Sequence, residues 1–125
     1  MDVDLVEFEP IGKIVVAHVR NTPRLDQANC DAFGAALLRQ IESNPGMHLL
    51  VNLAGIQFIT SSVLSELIQA LRLSTKHGGG LRVCGVTEYV ASVFEVTHLD
   101  KTFHLGSAVE DAAATYNETL AAAGA

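Results

Sequence analysis

The sequence predicts an α/β domain: a mixed, mostly parallel β-sheet with an opening antiparallel hairpin, packed against about four helices. Three observations predict it. Apolar residues switch repeatedly between β-rich runs and recurrences at three and four residues. Helical stretches separate the later strand-like runs, which forces crossovers and hence parallel pairing. The chain has 125 residues, 49% hydrophobic and 18% charged, enough for one self-standing core and one domain over 1–125.

The elements follow in order. Leu5, Val6 and Phe8 form a short strand, with Pro10-Ile11-Gly12 as its turn. Ile14 to Val19 is a second β-rich run, ended by Asn21-Thr22-Pro23, and the two make the hairpin. Cys30, Phe33, Leu37 and Ile41 mark one face of a helix that Asp26 or Asn29 would cap and Asn44-Pro45-Gly46 would stop. Met47 to Leu53 carries a continuous apolar run, the signature of an interior strand covered on both faces. Gly55 breaks it, and Ile56 to Ile59 is a connection with apolar anchors. Thr60-Ser61-Ser62 opens a second helix with Leu64, Leu67, Ile68 and Leu71 inward and Glu66, Gln69 and Arg72 on the other side. Lys76-His77 and Gly78-Gly79-Gly80 end it. Leu81 to Cys84 is a strand. Val86 to Thr97 is a helix with Thr87 as cap and Val90, Val93 and Phe94 inward. Thr102 to Leu105 is a last short strand, and Ser107 to Ala122 a final helix facing inward through Val109, Ala113, Tyr116 and Leu120.

Composition excludes several classes. The net charge of −6 argues against a protein that grips nucleic acid phosphates. No apolar run reaches the ~18–20 residues that span a bilayer, so direct membrane insertion is not expected. The start MDVDLVEFEP is acidic where a secretory signal is basic and then apolar. Cys30 and Cys84 form no C-x-x-C pair and read as two buried thiols of a cytoplasmic protein.

Catalytic and cofactor chemistry finds little support. Five histidines have no i, i+3 or i+4 pairing, so no metal site is expected. Gly78-Gly79-Gly80 follows a helix and precedes a strand, the reverse of a phosphate loop. There is no G-x-S-x-G elbow, and the acids cluster at the two ends. The expectation is a non-enzyme without cofactor. The informative feature is Thr60-Ser61-Ser62. A hydroxyl there caps the helix; equally, a phosphate placed there meets the unsatisfied N–H groups and partial positive charge of a helix start. The segment Gln57 to Val63 carries no formal charge, so one phosphate would change it greatly.

These residues have a recognisable order. Asn52-Leu53, then Ile59-Thr60-Ser61-Ser62-Val63-Leu64, Gly79-Gly80, Val83-Cys84, Val90 to Phe94 and Leu99, with Leu25-Asp26 upstream, resemble the STAS domain of bacterial anti-anti-sigma factors (anti-sigma factor antagonists). The resemblance implies a STAS-like fold and partner switching. The unmodified domain would bind an anti-sigma factor that is also a serine kinase. The kinase would phosphorylate Ser61, and a PP2C-type phosphatase would reset it. Asp26, Gln57, Phe58, Thr60, Ser61, Ser62 and Val63 would form the partner-binding surface. The sequence departs from the family pattern at Thr60, where Asp is usual, and at Val63, where Gly leaves room for close approach. Thr60 and Ser62 are therefore alternative phosphorylation sites. An unswitched STAS interaction or scaffold module, in a stress-sensing or transport complex, is the alternative function. A homo-oligomer stays open.

Overall fold

The structure is a computed structural model that describes residues 5–20 and 22–124. The acidic Asp2 and Asp4 and the turn residue Asn21 lie outside the described residues. Among the described residues, six strands and four helices run in the order β1 (Val6–Ile11), β2 (Ile14–Val19), β3 (Arg24–Leu25), α1 (Cys30–Ser43), β4 (His48–Asn52), β5 (Phe58–Ile59), α2 (Ser61–Lys76), β6 (Gly80–Cys84), α3 (Glu88–Val96) and α4 (Val109–Gly124). The main sheet has the order β1-β2-β4-β6. Its first pair is antiparallel and the others parallel, as the alternation of strand and helix requires. Gly12 takes a φ of 64° in the hairpin turn, a region that glycine enters without penalty. Asn117 of α4 braces that turn: the Lys13 N–H donates to its Oδ1 at 2.6 Å and its Nδ2 donates to the Ile11 carbonyl at 3.1 Å.

Strand alternation sends side chains to two cores. Ala17, Val19, Leu49, Val51, Leu81 and Val83 join the buried faces of α1, α2 and α3. Ile14, Val16, Leu50 and Cys84 meet Ala113 and Tyr116 of α4 on the opposite face. Leu49, Leu50 and Val51 are thus buried from both sides, as the continuous apolar run of β4 predicts. Val63, Leu64, Leu67 and Ala70 make the buried stripe of α2. Glu66 departs from the expected outward face: its carboxylate lies over Gly34 of α1, where a Cβ would strike it, so the missing side chain lets the two helices approach. Phe94 of α3 meets Phe103 edge to face at 5.8 Å between ring centroids.

The strand expected over Thr102 to Leu105 is absent. That segment is a run of turns in which the Phe103 N–H donates to the Leu99 carbonyl and the Leu105 N–H to the Asp100 carbonyl. His104 adopts a φ of 48°, which breaks any extended run. Only Gly106 pairs with Cys84, as an isolated parallel bridge, and the segment covers the outer edge of β6. A two-stranded parallel sheet of β3 and β5 forms instead where only a connection is expected.

Candidate functional site

The small β3–β5 sheet places the candidate site. The Gln57 and Phe58 N–H groups donate to the Pro23 carbonyl, and the Thr60 N–H donates to the Leu25 carbonyl. These bonds bring the start of α2 beside Asp26. Both β5 and the start of α2 lie beyond the carboxyl end of β4, where open α/β sheets present their sites. The first turn of α3 reaches the same surface: its Tyr89 ring stacks on Phe58 at 6.0 Å, with the planes 8° apart. On Phe58 also lies the Arg24 guanidinium, 4.2 Å from the ring centroid.

The helix starts are capped differently from expectation. Thr87 does cap α3, its hydroxyl accepting from the Val90 N–H. Neither Asp26 nor Asn29 caps α1 through its side chain. Asp26 accepts from the Ala28 N–H, while Asn29 accepts from the Asp26 N–H and donates to the Arg24 carbonyl, so both organise the preceding turn. At α2, Thr60 occupies the cap position with extended backbone (φ −106°, ψ 167°), yet its hydroxyl caps nothing. That oxygen is buried and has no hydrogen-bond partner. The Val63 and Leu64 N–H groups donate to the Thr60 carbonyl, so the start of α2 keeps the Ser61 and Ser62 donors and the partial positive charge that a capping side chain would satisfy.

The expected partner-facing residues divide by exposure. Gln57 and Ser61 are exposed, and Asp26, Phe58, Thr60 and Ser62 are half-buried. Val63 is fully buried and packs in the main core. Its branched side chain therefore takes no room at the surface, and the expected obstruction to close approach does not arise. The Ser61 carbonyl accepts from the Ser65 hydroxyl one turn along, and Ser61 itself is exposed.

Sequence reasoning missed Arg24 and Tyr89. Tyr89 is 51% exposed, unusual for a large ring, but nothing in its local sequence separates it from the inward residues of α3. Arg24 gives the segment from Gln57 onward a neighbouring cation, and its Nε lies 3.5 Å from Asp26 Oδ2, a long and half-solvated pair. The Cys30 N–H donates to the Asp26 carbonyl at 2.8 Å, whereas the Cys84 thiol lies away from the site. Cys84 is buried beneath α4 and its pKa is pushed up to about 12, mainly by burial and then by the Glu110 carboxylate. Among the described residues no group of three His, Cys, Asp or Glu side chains converges to hold a metal ion.

The family model described as "STAS domain" matches residues 6–112. The chain belongs to the STAS domain family. Solved structures agree on the fold. An anti-sigma-factor antagonist (STAS) domain protein from Planctomyces limnophilus superposes with a TM-score of 0.80 at 18% identity, over 90% of this chain and 97% of that one. An anti-sigma factor antagonist from Mycobacterium paratuberculosis gives 0.74 at 22% identity, over 88% and 91%. The anti-sigma factor antagonist SpoIIAA in its unphosphorylated form gives 0.74 at 17% identity, over 91% and 96%. Among the described residues of this STAS domain, no helix is long and apolar enough to cross a membrane.

Proposed function

We propose that this STAS domain is an anti-sigma factor antagonist that works by partner switching, with Ser61 as its control point. It is a binding module rather than an enzyme and acts in the cytoplasm. The unmodified surface built from α2, β5 and the first turn of α3 binds an anti-sigma factor that is also a serine kinase. Phosphate on Ser61 ends that complex, and a PP2C-type phosphatase restores it.

The observation that carries this reading is the start of α2: an exposed Ser61 hydroxyl on a helix whose cap side chain makes no bond. A phosphate there gains the free N–H donors and the helix field, so the domain tolerates it. The same phosphate adds nearly two charges beside Phe58 and Tyr89, where a partner would have to desolvate it. Thr60 is less suited to accept the phosphate, because its hydroxyl is buried.

The test is incubation with ATP and the serine kinase that co-purifies with the domain, followed by peptide mass spectrometry. Phosphate on Ser61, abolished in Ser61→Ala, is the expected result. A kinase that binds the domain and leaves Thr60, Ser61 and Ser62 unmodified would refute the switch and leave the unswitched interaction module.

A further inference from the structure

We propose that the groove between β6 and α4, which reaches round the outer edge of β6 to Leu71 and Thr75 of α2, binds a small organic oxyanion. The groove is separate from the Ser61 surface. It is formed by two adjoining cavities of about 390 Å³ and about 270 Å³, which share Arg82 and His104 as lining residues. Its floor is Leu50 and Arg82, one wall is α4 with Asp111 and Tyr116, and the other is the turn segment carrying His104 and Ser107.

The groove's chemistry centres on Arg82. This residue is half-buried, yet among the described residues no carboxylate pairs with it and no side-chain hydrogen bond engages it. Its guanidinium lies on the Tyr116 ring, 4.4 Å from the centroid. The ring contact restrains the guanidinium without using its N–H donors, which suits a planar or tetrahedral oxyanion. Tyr116 is itself held: its ring meets His48 edge on, and its hydroxyl lies 3.4 Å from His48 Nδ1. The cation is thus positioned before any ligand arrives, which lowers the ordering cost of binding.

The opposite wall adds a second observation. His104 sits at a φ of 48°, a conformation that costs a non-glycine residue free energy and is concentrated at functional sites. That strained backbone sets His104 in both cavities. Ser107 adds a hydroxyl just before α4, whose start carries partial positive charge. Asp111 faces the same space and narrows the ligand class. Its carboxylate disfavours polyanions and accepts from a hydroxyl or amine. Leu50, Leu105 and Ala112 supply apolar surface for the rest of the molecule. The ligand is therefore a molecule with one phosphate or carboxylate group, a nearby hydrogen-bond donor and a short organic body.

The test is an NMR titration of the 15N-labelled full chain with three probes: inorganic phosphate, ribose 5-phosphate and glutamate. Saturable shifts confined to the Arg82 side-chain N–H and the amides of His104, Gly106 and Ser107 are expected with one organic probe, at a Kd near or below about 1 mM. Which of the two organic probes saturates separates a phosphate ligand from a carboxylate ligand. Arg82→Gln should weaken that affinity at least about tenfold. Asp111→Asn, at an exposed position that leaves folding intact, should strengthen it about twofold or more at low salt. No saturation with any probe, an equal response to inorganic phosphate, or unchanged affinity in either variant overturns the proposal.

Discussion

Replacing Thr60 with aspartate tests whether the start of α2 is really uncapped. In the structure the cap backbone is already extended, with φ −106° and ψ 167°, so the new side chain needs no rearrangement of the chain. A carboxylate there can accept from the Ser62 N–H, where the threonine hydroxyl makes no bond. A good N-cap contributes about 0.5–2 kcal/mol. The charge beside the helix field contributes about 0.3–1 kcal/mol more. Burial of the cap oxygen opposes part of this, so a net gain of about 1 kcal/mol is expected for Thr60→Asp at pH 7. For a chain of 125 residues that is about 4 °C in Tm. In urea it is about half a molar in the midpoint. Thr60→Ala should be neutral within about 0.5 kcal/mol, because the lost hydroxyl made no bond. The charge part also has a pH signature. A cap carboxylate titrates below its unfolded value of about 3.9, so the gain is full above that value and disappears as pH falls through the lower folded value. Thr60→Asn should keep the cap part of the gain without this acid dependence. Urea denaturation of the three variants from pH 3 to 7 is the assay. A Thr60→Asp protein no more stable than Thr60→Ala at pH 7 would refute the uncapped start.

Other outcomes follow from the same structure. Tyr89→Ala should weaken partner binding at least about tenfold while moving Tm by less than about 2 °C, because an exposed stacked ring contributes to an interface and little to the core; calorimetric titration against thermal melting separates the two. Asn117→Ala removes both bonds that hold the hairpin turn to α4 and should cost about 1–2 kcal/mol, read as a lowered urea midpoint. Burial holds both Cys84 and Tyr116 up to about 12, the latter against the opposing pull of Arg82. Each keeps its proton in the fold and releases it in the unfolded chain near its ordinary value of about 8.5 or 10. Stability is therefore intact below about pH 8.5 and falls as pH rises toward 12, and Cys84→Ala should flatten the decline. A urea midpoint constant from pH 8 to 11 would contradict this.

The sequence carries most of the sheet because each strand's burial is written in its own residues. The β-rich run of Ile14 to Val19 and the unbroken run of Leu49 to Val51 mark strands without reference to the rest of the chain, and both strands are buried on two faces. Elements that depend on distant partners are not written that way. Thr102 to Leu105 has strand-like residues, but Phe103 is anchored in the core beside Phe94 and His104 turns left-handed, so tertiary packing overrides local preference. The β3–β5 pair comprises two residues on each side, and neither segment is long enough to show periodicity.

The candidate site divides in the same way. Thr60-Ser61-Ser62 is visible because hydroxyls before an apolar stripe are a local signal. Arg24 and Tyr89 reach the same surface only through β3 pairing with β5 and α3 packing on it. Hydroxyl chemistry predicts capping at all such positions. Only the folded structure reveals that the Thr60 hydroxyl is buried without a partner, and that Val63 belongs to the core rather than to the surface.

The central claim is that phosphate on Ser61 ends the complex with the partner kinase. The most direct measurement compares the partner's affinity for the unmodified protein with its affinity for the protein phosphorylated at Ser61 alone, by calorimetry in the same buffer. A desolvated like-charge or unpaired phosphate at an interface centre costs several kcal/mol, so a loss of about a hundredfold or more is expected. Equal affinities for the two forms would contradict the account.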